Sequence, residues 1–150
     1  MSSPVTTELS DTQLEVLQHG CAGLVVTVGD DRFPTTAFVW TIAASSKTLR
    51  FATEGSATLA NLEREGRASL QIIGSRNQVF LIKGETTVAK KRLEALPFES
   101  TMMSLQVTEV KDQTWPEAFV SPLTYEWASE RREEWQAIEQ AVYKELKEQP

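Results

Sequence analysis

Short apolar runs, separated by turn-forming residues, make up most of the chain before residue 112. Each run is either rich in β-branched residues or alternates between apolar and polar positions, and both patterns are typical of strands. The runs are 22–28, 35–43, 48–53, 68–73, 79–84 and 103–110. We therefore predict roughly six antiparallel strands in hairpin order, which favours a small barrel. Gly84 is expected to mark a bulge or a bend.

The pattern predicts helices at both ends of the chain. Ser10 and Gln13 have the spacing of a capping box, so a helix is expected to begin there and to run to about His19. A longer helix is expected over about 128–147, with one apolar stripe on a charged segment. The stripe consists of Trp135, Ile138, Val142 and Leu146. This stripe fits packing against the barrel, or a dimer contact, because aromatic residues are enriched at interfaces.

A third helix is predicted over 56–65, directly after a strand, with Ser56 as its N-cap and Gly66 as its stop. Unpaired N–H groups and the positive end of the helix dipole meet at such a turn, which makes it a typical phosphate site. No Lys or Arg occurs in 53–61, however. The sequence therefore leaves open whether this turn binds an anion.

Composition and charge narrow the class of protein. The 150 residues, 41% hydrophobic and 24% charged, indicate one domain over 1–150, with a barrel over about 20–112. A net charge of −6 argues against a nucleic-acid partner. No run approaches the roughly 20 apolar residues of a membrane span, and the first residues do not resemble a signal peptide. With a single cysteine, the chain is expected to be cytoplasmic.

Side chains suited to catalysis are scarce. His19 is the only histidine, at a predicted helix end, and Cys21 is the only cysteine, at the start of an apolar strand. Both are better explained by structural roles. The carboxylates are scattered, and no glycine-rich phosphate loop occurs. We therefore predict no catalytic residue and no metal site, and a borrowed cofactor fits better.

Four segments occur in an order that resembles the pyridoxamine 5′-phosphate oxidase-like, FMN-binding split-barrel family. They are Arg32–Trp40, Leu49–Thr53, Ser56–Leu62 and Arg67–Leu70. The resemblance extends from about Asp11 to Val88. It implies an all-β core with flanking helices, built as a six-stranded antiparallel split β-barrel. It also implies a homodimer that binds FMN, as its small-molecule ligand, in clefts between the subunits.

The resemblance also implies a set of cofactor-binding residues. These are Val39 and Trp40 beside the flavin ring, Thr53, Ser56 and Thr58 at the phosphate, and Asn61 in the same turn. The family's basic phosphate ligands are replaced here by Ala37, Ile42, Ala57 and Thr58. Substitute cations are conceivable at Arg32, Arg50, Arg67 and Lys83, although Arg50 is better explained as a solvent-facing strand residue.

Three functions follow from the sequence. The first is an FMN-binding split-barrel protein, acting as a small flavin-dependent oxidoreductase. The second is a non-catalytic split-barrel module that has lost FMN and binds another small anion, haem or nothing. The third is a stress-related interaction protein that uses its acidic C-terminal helix. True pyridoxamine 5′-phosphate oxidase activity is not expected, because the phosphate of that substrate needs further basic residues.

Overall fold

The computed structural model describes residues 4–54 and 56–148. Gly55, in the turn before the second helix, lies outside the described residues. The elements are β1 (Val5–Thr6), α1 (Asp11–Leu17), β2 (Cys21–Val28), β3 (Pro34–Ala43), β4 (Thr48–Glu54), α2 (Ala57–Glu65), β5 (Arg67–Ile73), β6 (Val79–Lys90), β7 (Ser100–Asp112) and α3 (Arg132–Glu148), which a short 3-10 turn, Ser129–Arg131, precedes. Each predicted strand is present, and β6 and β7 are longer than predicted.

Strands β2 to β7 form a closed antiparallel barrel. Their order is β7-β4-β3-β2-β5-β6, and β6 pairs back with β7. The short β1 adds to the edge of β7 through the pairs Val5 with Lys111 and Thr6 with Val110. Closure leaves no free edge along the main sheet. The predicted six-stranded barrel fold is therefore confirmed.

The strand pattern separates an inner from an outer face. Side chains alternate across a strand, so Val39 of β3 faces the barrel core, whereas Trp40 faces outward to a second cluster. The core itself is closed to solvent at Phe51, Leu70 and Phe80. The cavity described below uses residues from both faces of β3.

Both short helices begin at the predicted caps. The Ser10 hydroxyl accepts from the Gln13 N–H at 3.2 Å, and the Gln13 side chain accepts from the Ser10 N–H at 2.8 Å. Ser56 caps α2, and Gly66 ends it with a φ of 66°. Glycine suits that left-handed position because it has no Cβ. Local sequence therefore sets where α2 begins, beside the end of β4.

The predicted irregularity at Gly84 is a register shift between β6 and β7. Lys83 faces Glu109, whereas the next residue, Gly84, faces Val107. A Cβ at Gly84 would overlap the carbonyl oxygen of Gln106. The absence of a side chain thus allows the two strands to approach at the shift.

Helix α3 packs on the outside of the barrel, over β3 and β4. Val142 and Leu146 are fully buried in a cluster with Ile42, Ala52 and Met102. The predicted stripe is therefore directed at the barrel, while Trp135 and Ile138 remain half-buried. None of the helices within 4–54 and 56–148 has the length and apolar character needed to cross a membrane.

Candidate functional site

A cavity of about 490 Å³ opens beside β3, β4 and the first turn of α2. The loop between β6 and β7 and the irregular segment before α3 complete its walls. Its volume is within the range of about 300–1,000 Å³ that is usual for small-ligand sites. The lining residues are mostly apolar or aromatic: Ala22, Ala37, Phe38, Val39, Trp40, Ala52, Thr53, Glu54, Ser56, Thr58, Leu96, Phe98, Ser100, Tyr125 and Trp127.

One wall of the cavity consists of aromatic rings. The Trp40 indole N–H donates to the Tyr125 hydroxyl at 2.6 Å. Trp127 lies edge-on to Trp40, with centroids 6.1 Å apart, and edge-on to Tyr125 at 5.3 Å. It also stacks on Trp135 of α3 at 5.2 Å. Helix α3 therefore supports the wall, which offers flat surfaces suited to a flat ligand.

Trp127 also carries an unsatisfied donor. Its indole nitrogen is shielded from solvent and has no hydrogen-bond acceptor within the part of the chain that the structure describes. A buried donor without an acceptor costs about 1–3 kcal/mol. Because the same ring lines the cavity, a small rotation of the indole would present this N–H to a ligand carbonyl.

The turn at the start of α2 is hydrogen-bonded within itself. The Thr58 N–H donates to the Ser56 hydroxyl at 3.2 Å. The hydroxyls of Ser56 and Thr53 both donate to the carbonyl oxygen of Glu54, at 3.3 and 3.4 Å. Glu54 is the only charged residue among the described lining residues. The turn thus combines occupied polar groups with an acidic neighbour.

The structure brings together five of the six residues predicted to bind a cofactor. These five, Val39, Trp40, Thr53, Ser56 and Thr58, all line the cavity. Asn61 is not among the lining residues. It is buried, donates to the Thr27 hydroxyl at 3.1 Å and accepts from Arg64 at 3.0 Å. These contacts give Asn61 a place in the packing of α2.

None of the substitute cations lines this cavity. Arg50 donates from Nη1 to the carbonyl oxygens of Leu146 and Lys147, at 3.0 and 3.4 Å, at the end of α3. The interpretation of Arg50 as a solvent-facing residue is therefore wrong. Arg67 and Lys83 line a separate depression around Gly84. Arg32 lies in the β2–β3 turn with a φ of 70°.

The positions where the family has cations are apolar or uncharged for different reasons. Ala37 lines the cavity. Ile42 is 3% exposed and lies under α3. Ala57 is exposed at the first position of α2. The described lining therefore contains no basic side chain that could offset the charge of Glu54.

The β6–β7 loop is fixed to α3 by one carboxylate. Glu145 accepts from Lys90 Nζ at 2.8 Å, and from the N–H groups of Glu94 and Ala95 at 2.9 and 2.8 Å. Burial raises the pKa of Glu145, but these hydrogen bonds outweigh it and hold the pKa below its usual value. Glu145 thereby positions the loop that brings Leu96 and Phe98 to the cavity.

Nucleophilic and metal chemistry have little support in this region. Burial raises the pKa of Cys21 to about 12, so its thiol stays protonated at neutral pH. Among residues 4–54 and 56–148, no three His, Cys, Asp or Glu side chains are grouped closely enough to hold a metal ion.

Several cavity residues were not predicted from the sequence. Phe38 shares the outward face of β3 with Trp40, so strand alternation was a usable signal for it. Tyr125 and Trp127 lie in an irregular segment without periodicity. Only the three-dimensional contact with Trp40 shows that they belong to the site.

No protein-family model matches the sequence. No curated protein is significantly similar to it.

Solved structures show closer relationships in fold. A provisionally named pyridoxamine 5′-phosphate oxidase from Lactobacillus delbrueckii matches with a TM-score of 0.58 and 14% identity, over 73% of this chain and 98% of that one. An F420 reductase matches with 0.57 and 15%, over 68% and 98%. HupZ from Group A Streptococcus matches with 0.59 and 11%, over 75% and 99%. Identities this low establish a shared fold only. The chain has the split-barrel fold of the pyridoxamine 5′-phosphate oxidase-like proteins.

Proposed function

We propose that the cavity binds the ring system of a flavin-type cofactor, and that the protein is a small cytoplasmic oxidoreductase. The observation that carries this proposal is the aromatic wall of Trp40, Tyr125 and Trp127 beside a cavity of ligand size. Two of the solved structures with this fold are named as an oxidase and a reductase. Their names support redox chemistry without fixing a substrate.

The ring end of a flavin fits the lining. Flat apolar walls suit the faces of a fused ring, and the free indole N–H of Trp127 suits one of its carbonyl groups. When bound, a flavin supplies hydride or electron transfer. The chain's own part is to hold the ring, to exclude water with Phe38 and Phe98, and to orient the ring through Trp127.

The phosphate end of FMN does not fit the described lining. The expected basic ligands are absent, and Glu54 adds a negative charge. This observation favours the second candidate function, a non-catalytic split barrel that has lost FMN. Titration of the purified protein with FMN and with riboflavin, followed by flavin fluorescence, separates the two. Saturable quenching supports the first function, whereas its absence with both flavins supports the second.

Replacement of Trp127 by Phe tests the proposed orientation. The change keeps an aromatic ring and removes the N–H, so flavin affinity should fall by about three- to tenfold, the value of one hydrogen bond. The free energy of unfolding should stay the same or rise, because an unsatisfied donor is removed. Trp115→Phe is the matched control, since Trp115 is 70% exposed and does not line the cavity. Equal affinities in the Trp127 and Trp115 variants would contradict the proposed orientation.

We also propose that the protein functions as a homodimer that covers the cavity rim. Phe38 lines the cavity and is 67% exposed, and exposed aromatic surface is typical of interfaces. Phe38→Asp should therefore increase the monomer fraction, as measured by light scattering after gel filtration. Phe119→Asp is the control, because Phe119 is fully exposed outside the cavity. A monomeric wild-type protein at micromolar concentration would contradict the homodimer.

A further inference from the structure

We infer that the cavity selects a flavin-type ligand without a phosphate group, and that the carboxylate of Glu54 sets this selectivity. The inference rests on the proposed ring binding and concerns the part of the ligand beyond the ring. Riboflavin and FMN share the ring and differ by one phosphate. Selection between them therefore depends on the charged and polar groups at the start of α2.

The first support is the sign of the charge. Glu54, the last residue of β4, is the single charged residue in the described lining. The Arg50 guanidinium contacts the carbonyl oxygens at the end of α3, and Lys83 forms an ion pair with Glu109 at 3.3 Å. A phosphate in the cavity would therefore meet repulsion from Glu54 without a compensating cation in the lining.

The second support is that polar groups of the turn already have partners. The Thr58 N–H donates to Ser56, and both Ser56 and Thr53 donate to the Glu54 carbonyl. A phosphate would have to replace these hydrogen bonds before it gained its own. The exchange leaves less net stabilisation than binding to free donors would give.

The third support is that the rest of the cavity suits a neutral ligand. Its walls are aromatic and aliphatic, and the donor without an acceptor, Trp127 Nε1, is uncharged. Neutral ring carbonyls satisfy such a donor, and a ribityl chain without phosphate brings no charge to Glu54. The lining thus matches riboflavin better than FMN.

The test compares FMN and riboflavin in the wild type, Glu54→Gln and Glu63→Gln at low and high salt. Wild-type protein should bind riboflavin at least about tenfold more tightly than FMN. Glu54→Gln should tighten FMN binding by about three- to tenfold and leave riboflavin binding within about twofold. Glu63→Gln, an equal charge change on an exposed residue of α2 that does not line the cavity, should alter neither. Salt should strengthen FMN binding in the wild type, because it screens repulsion.

The outcomes separate this inference from the function on which it rests. Tighter binding of FMN than riboflavin, weakened by salt, would overturn the inference alone and would indicate cations supplied by a second subunit. Equal effects of Glu54→Gln and Glu63→Gln on FMN binding would also overturn it, because Glu54 would then have no specific role. Saturable binding of neither flavin would overturn the proposed ring binding, and this inference with it.

Discussion

Replacement of Gly84 by Ala should destabilise the protein by at least about 3 kcal/mol, or prevent folding. The added Cβ would overlap the carbonyl oxygen of Gln106 on the neighbouring strand. A backbone atom cannot move away by changing a rotamer, so β6 and β7 would have to separate at their register shift. Urea unfolding followed by circular dichroism measures the loss.

Gly66→Ala is the matched control for this prediction. Gly66 has a φ of 66°, but a Cβ there would meet no atom within 4 Å. The left-handed conformation alone should cost roughly 1–2 kcal/mol. A Gly84 variant as stable as the Gly66 variant would show that the barrel relaxes around the bulge, contrary to the role that the register shift gives to Gly84.

The second large effect is expected for Glu145→Ala. This change removes the acceptor for Lys90 and for the N–H groups of Glu94 and Ala95. Because the carboxylate is only 14% exposed and makes charge-assisted bonds, the free energy of unfolding should fall by about 2–4 kcal/mol. Glu133→Ala, on the exposed side of the same helix, should change it by less than about 0.5 kcal/mol.

The dependence on pH gives this prediction a separate signature. The pKa of Glu145 is lower in the folded protein than its usual value, so the unfolded chain binds the proton more readily. The stabilisation is therefore complete above the unfolded pKa of about 4.3 and is lost as the pH falls through the lower folded pKa. The difference between wild type and Glu145→Ala should shrink on acidification below about pH 4. A difference that stays constant from pH 6 to pH 3 would exclude this carboxylate as its source.

Local patterns in the sequence predicted most of the fold. Alternating apolar residues define the strands, Ser56 and Gly66 set the ends of α2, and Gly84 marks the register shift. All these features depend on residues near one another along the chain. The length of β6 was underestimated, because its last residues, such as Val88, are exposed and do not continue the apolar pattern.

The candidate site was predicted less completely because long-range contacts shape it. Thr53 and Ser56 follow from the strand and helix pattern. By contrast, Arg50 contacts a carbonyl oxygen 96 residues away, at Leu146. Tyr125 meets Trp40 across a separation of 85 residues. Neither contact leaves a periodic signal at its own position, so the role of Arg50 and one wall of the cavity were not predicted.

The tryptophan arrangement at the cavity makes the protein its own optical probe. Trp40, Trp127 and Trp135 are linked by ring contacts of 6.1 and 5.2 Å, close enough for their excited states to couple and to contribute to the near-ultraviolet dichroism. A chromophore held against Trp40 and Trp127 would accept their excitation and dim their emission. Trp115, 70% exposed outside the cavity, would supply a red-shifted emission as an internal reference. Occupancy of the cavity and docking of α3 are thereby readable in an unlabelled sample.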